Sequence, residues 1–360
     1  MLAGLLTSNA VYRDKAGIHQ HFIIRVQWHS GDESISQHKF YIVESFTVYK
    51  KPIEWQCIGF IGEAMLELSS SQDSYQVCVA GDTYNTSVYL QRLINHKAQI
   101  FYISGLGIDR QSEKIKSSLV HEGIDTQGIV EIPDKQPGLY MIDTTPEGER
   151  SFSYWRDNSA AKYWLETQDT ERVLKRLKRM DAIYLSGISI AILSNPSRER
   201  LLTLLEGLHD DGKAIIFDNN FRSGLWESTS IARQWYDRIF QITNIALITV
   251  DDDQALYKEI ADDAIIERCR KHGIDEIILK RGADNCLVAR SGEKTLTIPA
   301  IKINQVVDTT AAGDSFAAGY LAGRITGKNP EFAAVTGHSL ASVVIQHRGA
   351  IIHKQLMPSL

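Results

Sequence analysis

The stretch VVDTTAAGDSFAAGYLAG, Val306 to Gly323, concentrates residue types that can do chemistry. Val306 and Val307 read as the end of a strand, and the small residues Ala311, Ala312 and Gly313 bring backbone N–H groups to the start of a helix with no bulky side chain in front of them. Such amides, aligned with the helix dipole, form an anion hole. An anion hole of this kind stabilises the charge that builds on a phosphoryl group in flight, which is the main task in that chemistry. Asp314 follows directly. A carboxylate at a helix start is a favourable charge–dipole contact in its own right; beside an amide nest it can also accept the proton of an attacking hydroxyl.

A nest and a base need a frame that delivers them to one place. From Trp55 onward, apolar runs rich in β-formers alternate with amphipathic helical segments: CIGFIGEAMLEL, then YNTSVYLQRLI, then AQIFYISGLG and SEKIKSSLVHEG. DAIYLSGIS, SRERLLTLLEGLHDDG, KAIIFDNN, IALITVDD, DAIIERCRKHG and EIILKRG continue the series. Repeated βα units predict an α/β fold, a doubly wound and mostly parallel sheet with helices on both faces. Gly138 to Arg156 departs from it, alternating like two strands about TPEGE, and SYQVCVAGD supplies another strand, so a small β lid is expected at about 66–80 and 137–158. Ligands of such sheets bind beyond the carboxyl ends of the strands. The loops GISIA, DNNFRSG, VDDDQA, KRGADN and DTTAAGD gather there.

Composition narrows the partners. With 360 residues, 43% hydrophobic and 23% charged, the chain has the make-up of a globular protein with a sizeable core. A formal charge of -5 gives no global attraction to nucleic acid or to anionic membranes. No apolar run reaches the roughly 18 residues a bilayer span needs, and no signal peptide is evident, so the cytoplasm is the expected compartment. The four cysteines include no CxxC pair and the eleven histidines no HExxH spacing, which predicts no structural metal. Two nucleotide motifs nearly occur. GLHDDGKA, Gly207 to Ala214, lacks the Ser or Thr of a P-loop and runs from helix to strand, so it is read as a helix end. GLGIDR, Gly105 to Arg110, lacks the third glycine of a dinucleotide fingerprint and is read as a turn.

DTTAAGDSFAAGYLAG resembles the C-terminal signature of the ribokinase-like (PfkB) carbohydrate kinases, and AGDTYNTSVYLQRL resembles their N-terminal glycine-rich signature. The resemblance runs from about residue 55 to 358. GEAMLELS, PGLYMIDTTPEGERSFSYWRDNSAAK, YLSGISIAILS, IFDNNFRSGLW, LKRGADNCLV and IQHRGAI resemble the branch acting on 2-keto-3-deoxy sugar acids. It implies a sheet of about nine strands with a β lid, and Mg²⁺-dependent transfer of the ATP γ-phosphate to a sugar hydroxyl, at C6 in that branch. By motif position Asp314 is then the base, and Ala311, Ala312 and Gly313 are the anion hole. Asp308 and Thr310 match positions that help hold a monovalent cation such as K⁺. Asn220, Phe221 and Arg222, together with Arg281, Gly282, Ala283, Asp284 and Asn285, match ATP-site segments. Gly81, Asp82 and Asn85 match sugar contacts.

A sugar acid adds a requirement that residue chemistry can meet: a buried carboxylate demands cationic donors. Arg156, at the end of the lid hairpin, and Arg222, after a sheet strand, supply them, and Tyr140 and Tyr154 add hydroxyls from the same hairpin. The alternative for each arginine is a surface salt bridge. Ala80 stands where a second glycine is common. Asp251 and Gln254 occupy the positions of the family's magnesium-organising Asn and Glu, with the triplet Asp251, Asp252 and Asp253 as substitute carboxylates or merely a solvated helix start. Residues 54–360 are expected to be the kinase domain. Residues 1–53 have no counterpart in the family and are expected to be an extension, disordered or translated from an upstream start. The exposed edges of a lid suit pairing into a homo-oligomer. Two rivals remain: a kinase of a neutral sugar such as fructose or ribose, and a catalytically silent sugar sensor.

Overall fold

The computed structural model describes the backbone of residues 4–13, 19–28, 42–49, 53–71, 74–144 and 150–359, with side chains over 53–69, 75–143 and 151–359. Contacts divide the chain into Met1–Ile53 and Glu54–Leu360. In the first unit, β1 (Gly4–Arg13), β2 (His19–Trp28) and β3 (Ile42–Tyr49) form an antiparallel sheet in the order β1-β2-β3. HFIIRVQW, expected to be a strand, lies within β2.

The second unit is built on a nine-stranded sheet. Its strands are β4 (Cys57–Ile61), β7 (Gln99–Leu106), β8 (Asp125–Glu131), β11 (Ala182–Ser186), β12 (Ala214–Asp218), β13 (Ile245–Thr249), β14 (Glu276–Lys280), β15 (Cys286–Arg290) and β16 (Leu296–Ile298). The order is β16-β15-β14-β13-β12-β11-β4-β7-β8. All neighbours are parallel except at the β14-β15-β16 edge, which is antiparallel. Strands such as AIYLS and EIILK are buried along their whole length, as a sheet covered on both faces requires. The chain runs one way from β4 through β7 to β8 and the other way from β11 to β14, which puts the topological switch point between β4 and β11. A crevice opens there, at the carboxyl ends of the strands.

The lid is a separate four-stranded sheet in the order β10-β9-β5-β6, from β5 (Met65–Ser71), β6 (Ser74–Ala80), β9 (Leu139–Thr144) and β10 (Arg150–Trp155). The expected hairpin is the antiparallel β9-β10 pair; its TPEGE turn, residues 145–149, lies outside the described residues. GLHDDGKA is a helix end, as read: the helix Asn195–Asp210 stops before Gly212, whose φ of 78° turns the chain into β12.

One expectation fails. Val306 and Val307 belong to no strand; they are 55% and 41% exposed and lie beyond the last sheet strand. The N–H groups of Val307 and Asp308 instead donate to the Ile345 carbonyl at the end of the helix Pro330–Val344. The β-branched pair is therefore tied through Val307 to a helix C-terminus, and AAGD enters its own helix from a loop.

Candidate active site

A cleft of about 710 Å³ lies over the carboxyl ends of the central strands, beneath one face of the lid. Strand ends supply much of its polar lining: Glu63 just after β4, Asp218 at the end of β12, Thr249 at the end of β13 and Lys280 at the end of β14. Charged ends on otherwise apolar strands are where a covered sheet can expose polar groups.

The helix Ala312–Ile325 points its N-terminus into this cleft. Ala311 caps it in the left-handed region, φ 59° and ψ 17°, a conformation that costs a residue other than glycine about 1–2 kcal/mol. Ala312 N–H donates to the Thr309 carbonyl at 3.2 Å. The amides of Ala311 and Gly313, at a helix start, have no intrahelical carbonyl to bond. The small residues further along allow close packing: a Cβ on Gly319 would come within 2.8 Å of Gly337 Cα in the helix Pro330–Val344.

Asp314, part-exposed to the cleft, accepts a 2.8 Å hydrogen bond from Asn85 Nδ2. Burial of its carboxyl and the charges of Asp82 and, to a lesser extent, Asp218 push its pKa up to about 8, against the opposing effects of Asn85 and Lys280. Asp82 begins the helix Asp82–Ile94, and its Oδ2 accepts from Ser186 Oγ and, at 2.7 Å, from Asn220 Nδ2. Gly81 precedes it at φ 141°, where a Cβ would stand 2.3 Å from the Glu63 carbonyl oxygen. Only glycine fits this approach of lid and sheet.

At the lid end, Arg156 forms a buried ion pair with Glu63. Arg156 Nε and Glu63 Oε1 are buried with no partner among the described residues. Gly138 makes room for the pair, since a Cβ there would lie 2.5 Å from Glu63 Oε1. Arg222 reaches the same cleft, half exposed, and binds Asp252 at 2.9 Å.

A sequence model described as pfkB family carbohydrate kinase matches residues 57–356. The chain belongs to the pfkB family. It is 46% identical over 305 residues to 2-dehydro-3-deoxygluconokinase of Dickeya dadantii, a match spanning 84% of this chain and 98% of that one. To the Escherichia coli K12 protein of the same name it is 45% identical over 305 residues, spanning 84% and 99%. Aminoimidazole riboside kinase from Salmonella enterica, solved with aminoimidazole riboside and an ATP analogue, shares the fold at a TM-score of 0.70 and 23% identity, over 84% of this chain and 97% of that one.

Against this family frame, the cleft collects most of the residues singled out from sequence. Gly81, Asp82, Asn85, Tyr140, Tyr154, Arg156, Asn220, Arg222, Thr310, Ala311, Ala312, Gly313 and Asp314 all line it. Others lie elsewhere. Phe221 is buried in the core, edge-on to Tyr236. Arg281 to Asn285 form the turn from β14 to β15, outside the cleft lining, with Arg281 bound to Asp262 at 2.9 Å and to the Asn285 carbonyl at 2.7 Å. Asp308 is buried and takes the N–H groups of Thr310 and Gly349 at 2.7 and 2.9 Å, joining two loops. Tyr140 lines the cleft, yet its hydroxyl donates to buried Glu67, so burial and that carboxylate hold its pKa far above the usual tyrosine value. In the acidic triplet, Asp253 turns inward to Arg268 at 2.6 Å, Asp251 and Asp252 face the cleft, and Gln254 bonds the Ile260 carbonyl away from it. Sequence reasoning did not single out Glu63, Asp218 or Lys280. Each ends or follows an apolar strand at the carboxyl end, and that position was the available signal.

Proposed function

We propose that this kinase transfers the γ-phosphate of ATP to the C6 hydroxyl of 2-dehydro-3-deoxy-D-gluconate, giving 2-dehydro-3-deoxy-6-phospho-D-gluconate, a step in sugar-acid breakdown. The observation that carries the reading is one cleft lined both by a helix-start anion nest with Asp314 and by two guanidinium groups, Arg156 and Arg222. Neutral sugars do not need the guanidinium groups; a sugar acid does. The relatives sharing 45–46% of its residues carry the matching name.

The residues divide the work. Arg156 and Arg222 bind the carboxylate and fix the substrate along the cleft, which sets its terminal hydroxyl in line. Gly81, Asp82, Asn85, Tyr140 and Tyr154 shape the sugar site, with Asp82 also holding Asn220. Asp314 accepts the proton as the hydroxyl oxygen bonds to the γ-phosphorus and the bond to the bridging oxygen of ADP breaks. A carboxylate with a pKa near 8 is a stronger base than an ordinary one and is matched to neutral working pH. The Ala311 and Gly313 amides, beside Ala312, receive the phosphoryl charge. ATP is placed along Asn220 to Arg222 and the β14–β15 turn, Arg281 to Asn285. Asp251 and Asp252 offer the all-oxygen donor set that suits Mg²⁺, which would neutralise charge on the β- and γ-phosphates.

The loop tied by Asp308, with Thr310, is assigned to a monovalent cation; activity in K⁺ at least severalfold above that in tetramethylammonium supports this, and equal activity removes it. Exposed Tyr75, Val77 and Trp155 on the lid support a homo-oligomer formed through it. Four free thiols suit a reducing compartment such as the cytoplasm. ADP release measured over acid and neutral sugars tests the whole reading. Equal turnover of fructose or ribose would favour a neutral-sugar kinase, and no turnover of any sugar would favour a sensor.

A further inference from the structure

Asp218 closes β12 and Lys280 closes β14, with β13 between them. Lys280 Nζ lies 2.7 Å from Asp218 Oδ2, and the two residues are only 8% and 4% exposed. Tyr184 OH reaches the same carboxylate oxygen at 3.4 Å. A buried ion pair is a poor device for stability, because desolvating both charges offsets their attraction and an apolar pair serves as well. Location suggests another use. Both residues line the cleft, and a Cβ built on Gly313 would stand 3.6 Å from Lys280 Nζ. The ammonium therefore faces the first turn of the helix whose amides form the anion nest. It has three N–H donors, and Asp218 engages one.

We infer that Lys280 is a catalytic cation for phosphoryl transfer and Asp218 the counter-ion that holds it in position; this rests on the kinase reading above. Lys280 donates hydrogen bonds to the γ-phosphoryl oxygens while the substrate oxygen bonds to phosphorus. The bond to the ADP bridging oxygen breaks with its electron pair leaving on ADP, and the substrate proton goes to Asp314. Lys280 keeps its own protons throughout. The amides and the ammonium then contact the same transferring group from adjoining sides, a buried point charge added to fixed dipoles.

The test uses the full chain with Lys280→Met. Turnover should fall about 10²–10³-fold, the scale for loss of one oxyanion donor, and the sugar-acid KM should change less than about threefold. Calorimetry with a non-hydrolysable ATP analogue and with ADP should show that the variant loses the preference for the triphosphate that the wild type displays. Lys280→Met alone strands a buried carboxylate, so Lys280→Met with Asp218→Leu is made as well; it removes the pair as a unit, retains a cooperative melt and is equally inactive. Turnover within about threefold of wild type in either variant, or an unchanged triphosphate preference, overturns the inference. If the wild type phosphorylates no sugar acid, the functional proposal fails, and the nucleotide comparison still decides the role of Lys280.

Discussion

Asp314→Asn removes a proton acceptor while keeping the shape of the side chain and an oxygen for Asn85 to bond. Its kinetic effect should be a loss of about 10²–10⁴ in turnover, the range of general base catalysis. Its effect on stability has a sign that depends on pH. Burial and Asp82 raise the Asp314 pKa from 3.8 to about 8, so the folded protein holds this proton more tightly than the unfolded chain. The stability tied to that proton is complete below 3.8, is lost as pH rises toward 8 and stays lost above it. At about 1.4 kcal/mol per pH unit the ceiling is about 6 kcal/mol, and water reaching the cleft side of the carboxyl should reduce it to about 1–3 kcal/mol. Asparagine carries no such proton. Thermal melts should therefore match near pH 4, with the variant gaining steadily to pH 8 and melting higher at pH 9, alongside a coupled ADP-release assay on the same samples. A variant that melts below wild type at pH 9, or whose gain is the same at every pH, would refute the electrostatic account. Near-normal turnover would remove Asp314 as the base.

Arg156→Ala should raise the sugar-acid KM at least about 30-fold, as expected for truncating one buried charged donor, with the ATP KM essentially unchanged in steady-state kinetics; it should also lower the melting temperature, because Glu63 is left buried and unpaired. Gly81→Ala should destabilise by about 2–4 kcal/mol in denaturant melts, since the new Cβ meets the Glu63 carbonyl in a backbone region that side chains avoid. A chain beginning at Glu54 should keep its solubility and turnover, because Met1–Ile53 is a unit of its own and the pfkB match starts at 57; collapse of both would make the extension part of the enzyme. Light scattering should give a mass above one chain, and Trp155→Asp on the exposed lid face should lower it.

Much of this arrangement was legible in the sequence, and the exceptions have physical causes. Buried strands such as AIYLS and IALIT announce themselves because a sheet covered on both faces excludes polar residues. The lid hairpin shows through period-two alternation, with Phe152 and Tyr154 on one face. β8, DTQGIVE, and the edge strand β16, LTI, did not stand out, since more than half of each is polar or exposed and pairing alone makes them strands. Val306 and Val307 misled because β-branching records a preference for extended backbone, whether or not a neighbouring strand exists to pair with it. In the site, the AAGD nest could be read because backbone geometry and small residues are local. The partnerships Glu63 with Arg156, Asp218 with Lys280 and Asn85 with Asp314 join segments separated by 93, 62 and 229 residues, and only the folded sheet brings them together.

The central claim, that a base and anion nest at one place in the cleft serve a substrate held by Arg156 and Arg222, meets its most direct test in a substrate panel. Purified full-length protein with ATP and Mg²⁺ should release ADP on 2-dehydro-3-deoxy-D-gluconate with a kcat/KM at least about 10²-fold above that on fructose or ribose, because a site built around charged donors discriminates against ligands that leave them unpaired. Equal or higher efficiency on the neutral sugars would contradict it.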